Sequence, residues 1–84
     1  MPYIKQTRRE TINIELSTLL KLDLNEGDLN YTISMLIHNY INKNGLNYAN
    51  CNNMIGVLEC AKLELYRKLI SPYEDVKIKE NGDL

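Results

Sequence analysis

The chain has 84 residues, 44% of them hydrophobic and 25% charged, and eleven acids against ten bases leave a formal net charge of −1. This length holds one small domain, and the balance is that of a folded chain, neither disordered nor fibrous. Near-neutral charge gives no electrostatic footprint for nucleic acid, and one histidine with two cysteines gives little for a metal cluster.

Helical signals begin close to the amino terminus. Thr7 with Glu10 three residues on has capping-box spacing, and Ile12, Leu16, Leu19 and Leu20 then recur on one face. This predicts a first helix over about 8–21. A short strand over 11–16 competes, because Ile12, Ile14 and Leu16 alternate with Asn13 and Glu15. The cap and the continuing leucines favour the helix.

A second helix is predicted over about 28–43, with Asp28 as its cap. Leu29, Ile33, Leu36, Ile37, Tyr40 and Ile41 form a broad apolar face. Asn44-Gly45 supplies a left-handed exit. The third and longest helix is predicted over about 50–70. Met54, Leu58, Ala61, Leu65 and Leu69 make one stripe, widened by Ile55, Val57, Leu63, Tyr66 and Ile70. Ser71-Pro72-Tyr73-Glu74 reads as a fresh start, with a serine cap, proline in the first turn and glutamate at the third position. A short final helix is therefore expected over about 72–79. The expected fold is all-α, a bundle of three main helices plus a short C-terminal one in a single domain over 1–84.

The long helix is apolar over too much of its circumference for so short a chain to cover. Homo-oligomerisation is the expected remedy, with Met54, Leu58, Leu65, Tyr66 and Leu69 as the interface. On its polar side, Glu59 with Lys62, and Glu64 with Arg67 or Lys68, fit intrahelical ion pairs.

Candidate site residues are few. Lys5, Arg8 and Arg9 concentrate positive charge, and the two arginines fall in a first turn where the helix dipole disfavours cations. That conflict points to an external anion or an acidic neighbour. Six tyrosines, with no phenylalanine or tryptophan, suit interfaces and nucleotide pockets, so Tyr3 and Tyr73 are candidates to stack on a base. His38 is the chain's one imidazole, the side-chain type suited to proton transfer or ligand contact. A small enzyme would use His38 with Cys60 or a carboxylate, yet a mid-helix Cys60 lacks free backbone N–H groups to stabilise a thiolate. Cys51 and Cys60 are nine apart, about 13 Å along a helix, too far for a local disulfide. Reduced thiols, with no signal-like or membrane-spanning stretch, make the cytosol the expected location.

No Cys-x-x-Cys, His-x-x-x-His or calcium-loop spacing is present, so no metal and no cofactor are expected. A helix-turn-helix reading fails on the second helix, which carries no basic residue before Lys43. A nucleic-acid-binding regulator is thus a lesser alternative.

Three runs are distinctive together: Met1-Pro2-Tyr3-Ile4-Lys5-Gln6, Gly27-Asp28-Leu29-Asn30-Tyr31, and Gly56-Val57-Leu58-Glu59-Cys60-Ala61-Lys62-Leu63-Glu64-Leu65-Tyr66-Arg67. With Pro72-Tyr73-Glu74 and the stretch 77–83, they resemble a family of small bacterial and phage proteins to which no function is assigned. The resemblance spans essentially the whole chain and carries over no catalytic residue. It implies a self-contained protein in a phage or prophage setting. The functional expectation is a non-enzymatic oligomeric binding protein, holding a small anionic molecule such as a nucleotide signal, or a host protein.

Overall fold

The computed structural model describes residues 4–84, and all regular structure among them is helical. Helix α1 spans Gln6–Leu19, α2 Glu26–Asn44, and α3 Tyr48–Leu65; a π-helical turn over Tyr66–Ile70 then leads into α4, Ser71–Asn81. The all-α expectation holds, with three main helices and a C-terminal helical segment. Spatially the chain divides into two compact units, Met1–Asn47 and Tyr48–Leu84.

In the first unit, α1 begins two residues earlier than the cap pattern predicts. Lys5 is the N-cap, without a side-chain cap bond, so Thr7 lies inside the first turn. The backbone explains the shift. The Lys5 carbonyl accepts from the N–H groups of both Arg8 and Arg9, at 3.0 and 3.1 Å, and the Arg9 side chain folds back to donate from Nε to the Ile4 carbonyl at 3.0 Å. An arginine thus ties down the chain entering the helix. The helix closes at Leu19, and Leu20, Lys21 and Leu22 each donate a backbone bond to a carbonyl three or four residues back.

Helix α2 is capped by Asn25, and Asp28 sits at the third helical position as its partner. The Asn25 Oδ1 accepts the Asp28 N–H at 2.8 Å, and the Asn25 N–H donates to Asp28 Oδ2 at 3.1 Å. This reciprocal box satisfies two donors that a helix start otherwise leaves open. The exit is at Gly45, as expected, with φ 108° and its N–H donating to Ile41 at 2.8 Å. Its ψ of 147° makes this a positive-φ extended conformation, where a side chain is strained.

The second unit is one helical rod of 34 residues, about 51 Å long at 1.5 Å per residue. The break expected at Ser71-Pro72 does not occur. Ser71 keeps helical angles (φ −62°, ψ −47°), and its N–H reaches back five residues to the Tyr66 carbonyl. Proline inside a helix removes one donor and crowds the carbonyl four residues earlier. Widening the preceding turn to i→i+5 bonding moves that carbonyl away, so the helix swells and continues. A Ser-Pro-x-Glu signature therefore marks a π turn here, not a start. Gly82, at φ 83°, ends the rod.

Candidate functional site

Three surface features are built by these elements. The first is a groove of about 390 Å³ in the first unit, lined by Ile12, Leu16 and Leu19 of α1 and Leu36 of α2. Arg8, Thr11 and Glu15 complete its lining. The α1 stripe read from the sequence thus lines an open trough, together with the opposite charges of Arg8 and Glu15. Such a trough takes an apolar body with a polar end better than it takes a bare anion.

The second groove, about 500 Å³, lies at the end of α2 between Ile37, His38, Ile41, Asn42, Gly45 and Leu46. His38 meets no carboxylate or thiol among those lining residues. Cys51 and Cys60 are both free thiols, half-buried in the second unit. The two grooves of the first unit share no residue, so Arg8 and His38 lie in different places.

The third feature is the rod. Along it Leu58, Leu65, Leu69, Tyr73 and Val76 are all exposed, as are Ile55, Leu63 and Tyr66. Met54 is the one buried residue among those described. The charged side is locally neutralised: Lys62 pairs with Glu59 at 3.3 Å and Lys68 with Glu64 at 3.6 Å. The first pair is solvent-exposed and in the second only Lys68 is, Glu64 being half-buried; as intrahelical pairs each contributes only a few tenths of a kcal/mol.

Of the residues singled out in the sequence, Arg8 and His38 reach grooves. Lys5 caps α1 through its backbone, and Arg9 spends its Nε on Ile4. Tyr73 is on α4, exposed, with the Lys77 ammonium 5.5 Å from its ring centre. Tyr3 falls outside the described residues. The expected interface set of Met54, Leu58, Leu65, Tyr66 and Leu69 lies along the rod.

Tyr66 holds a role that periodicity could not reveal. Its hydroxyl donates to Glu74 Oε1 at 2.9 Å across the π turn, and the hydrogen bond to that carboxylate, with its charge, pushes the phenol above the usual tyrosine range. Among the described residues, no three His, Cys, Asp or Glu side chains gather as metal ligands would, and no helix is long and apolar enough to cross a membrane.

A family model described as Domain of unknown function (DUF6899) matches residues 1–84. The chain belongs to the DUF6899 family. No curated relative and no solved structure matches it. The DUF6899 match covers both units, from the arginine-tied start of α1 to the end of the rod. A functional reading of this DUF6899 member therefore rests on its own geometry.

Proposed function

We propose that this chain is a non-enzymatic helical binding module that works as a homo-oligomer assembled through its second unit. The observation that carries the reading is the rod from Tyr48 to Asn81, which leaves leucines, a valine and tyrosines in water along its length. Water-exposed apolar side chains in a contiguous patch are costly to keep unless something covers them. A chain of this size gains most of its missing core from assembly.

The binding part of the reading falls to the first unit. The groove over Ile12, Leu16, Leu19 and Leu36, with Arg8 in its lining, suits an amphiphilic partner with a negative end. That partner is a small anionic molecule with an apolar or flat body, or an acidic segment of a host protein. A cytosolic setting is consistent with the two free thiols. The resemblance of the sequence to phage proteins supports a phage or prophage origin.

Two measurements test this. Sedimentation over a concentration series should give a mass above the 9.8 kDa of one chain. Calorimetry with a panel of cyclic and linear nucleotides and acidic peptides should give heat that Arg8→Ala removes. A monomer at every concentration defeats the oligomer, and silence across the panel defeats the anionic ligand.

A further inference from the structure

The rod carries its apolar seam in a pattern that its own π turn keeps in phase. Before that turn, Cys51, Met54, Leu58, Ala61 and Leu65 follow steps of three, four, three and four, the heptad rhythm of a helix that packs against another helix. After it, Leu69, Tyr73 and Val76 resume the rhythm with steps of four and three. Between Leu65 and Leu69 the step is four where the rhythm calls for three. One residue is therefore extra, and it falls where the helix is π, Tyr66–Ile70. A turn closed by i→i+5 bonds takes up one residue more than an α turn. Pro72 opens the turn, and the open turn absorbs the residue that would rotate the seam away.

We propose that this seam is occupied by a second copy of the chain, laid antiparallel and centred near Leu63. This rests on the homo-oligomer reading above and specifies its geometry. An antiparallel copy centred there pairs the seam with itself in four layers. Ala61 lies opposite Leu65 of the second copy, Leu58 opposite Leu69, Met54 opposite Tyr73 and Cys51 opposite Val76. Two of these layers, Ala61 with Leu65 and Cys51 with Val76, set a smaller side chain against a bulkier one, while Met54 is already buried within its own chain and leaves Tyr73 little surface to meet. A parallel copy would instead stack Ala61 on Ala61 and leave a gap where packing should be dense.

Charge selects the same orientation. Residues 48–58 carry no charge, whereas 69–79 contain Glu74, Asp75, Lys77 and Lys79. The antiparallel register lays the uncharged stretch of one copy beside the charged stretch of the other. A parallel register sets every charge beside its own like.

The area suffices. Leu58, Leu65, Leu69, Tyr73 and Val76 are 42, 49, 64, 61 and 51% exposed. They offer about 500 Å² per chain, and flanking Ile55 and Tyr66 bring this near the roughly 800 Å² per partner of a standard interface. An isologous two-fold contact of this kind closes on itself and stops at a dimer.

Disulfide trapping separates this geometry from the broader reading. In the full chain carrying Cys60→Ser and Val76→Cys, thiols remain at positions 51 and 76, about 37 Å apart along one rod, so they cannot join within a chain. Light oxidation of the antiparallel dimer should give a covalent dimer whose peptide map joins position 51 to position 76. A second chain with Cys51→Ser, Cys60→Ser, Leu58→Cys and Leu69→Cys should join 58 to 69, should the first variant fold poorly. Links of 51 to 51 and 76 to 76 would overturn the antiparallel register while leaving the homo-oligomer standing. A dimer by sedimentation that forms no seam link in either variant would overturn the seam as its interface. A monomer that forms no link would overturn both.

Discussion

The Tyr66 hydroxyl donates to Glu74 Oε1 at 2.9 Å, joining residues eight apart across the π turn that precedes Pro72. In an unbroken α-helix two residues eight apart are rotated about 80° past two full turns; the π turn takes up one residue, which brings Tyr66 and Glu74 onto the same side. The bond therefore straps the widened turn from outside.

This strap has a defined pH window. Glu74 raises the Tyr66 phenol above its ordinary value, first through the hydrogen bond and then through its charge. A group whose pKa is raised on folding stabilises the fold below its unfolded value, about 10 for tyrosine, and the contribution is lost as pH rises through the folded value. The bond is thus intact at neutral pH and breaks in alkali. Ultraviolet titration of tyrosinate should show one phenol ionising after the others. Glu74→Gln should bring it back among them, and an unchanged titration would contradict the strap.

The Asn25–Asp28 box starts α2. Asn25→Ala should destabilise the chain by about 1 kcal/mol, and Asn25→Gly by only a few tenths. Urea or thermal melts followed by circular dichroism check this. Equal losses for both would show that the cap bonds contribute little.

Two glycines should respond with opposite signs. Gly45 has φ 108°, so Gly45→Ala should cost about 1–3 kcal/mol. Gly56 sits inside α3 with nothing within 4 Å of an added Cβ, so Gly56→Ala should gain about 0.5–1 kcal/mol. The same melts read both. A loss at Gly56 would reveal a close neighbour there in the assembled protein.

The seam should be separable from the rest of the rod by substitution. Leu65→Lys places a charge at the centre of the proposed dimer and should shift it to monomer at micromolar concentration. Leu63→Lys, on the same helix but off the seam, should leave the mass unchanged. Light scattering on a sizing column distinguishes them, and identical behaviour of the two variants would count against a defined seam.

Much of this fold is written locally. The stripe from Met54 to Leu69, the Gly45 exit and the Glu59–Lys62 pair follow from spacing alone, because each depends on residues within two turns of one another. Glu64 takes Lys68 from its two offered partners. Helix starts are harder to read, since competing caps differ by small energies. Thr7 with Glu10 and Asp28 are plausible caps, yet backbone bonds at Lys5 and the Asn25–Asp28 box put the starts two residues earlier. Ser71-Pro72 was legible as a backbone disturbance but not as its kind, because a π turn and a helix start place similar residues around a proline. The α1 groove was not legible, since its lining joins Leu36 of α2 to Ile12 and Leu16 of α1, residues far apart in the chain. Arg8 and His38 line different grooves.

The most direct test is the mass of the unmodified chain in solution, measured by sedimentation equilibrium from low micromolar to high micromolar concentration. The expected result is a species of twice 9.8 kDa that dissociates on dilution and is lost with Leu65→Lys. A fully helical species of 9.8 kDa across the whole range would contradict assembly through the rod.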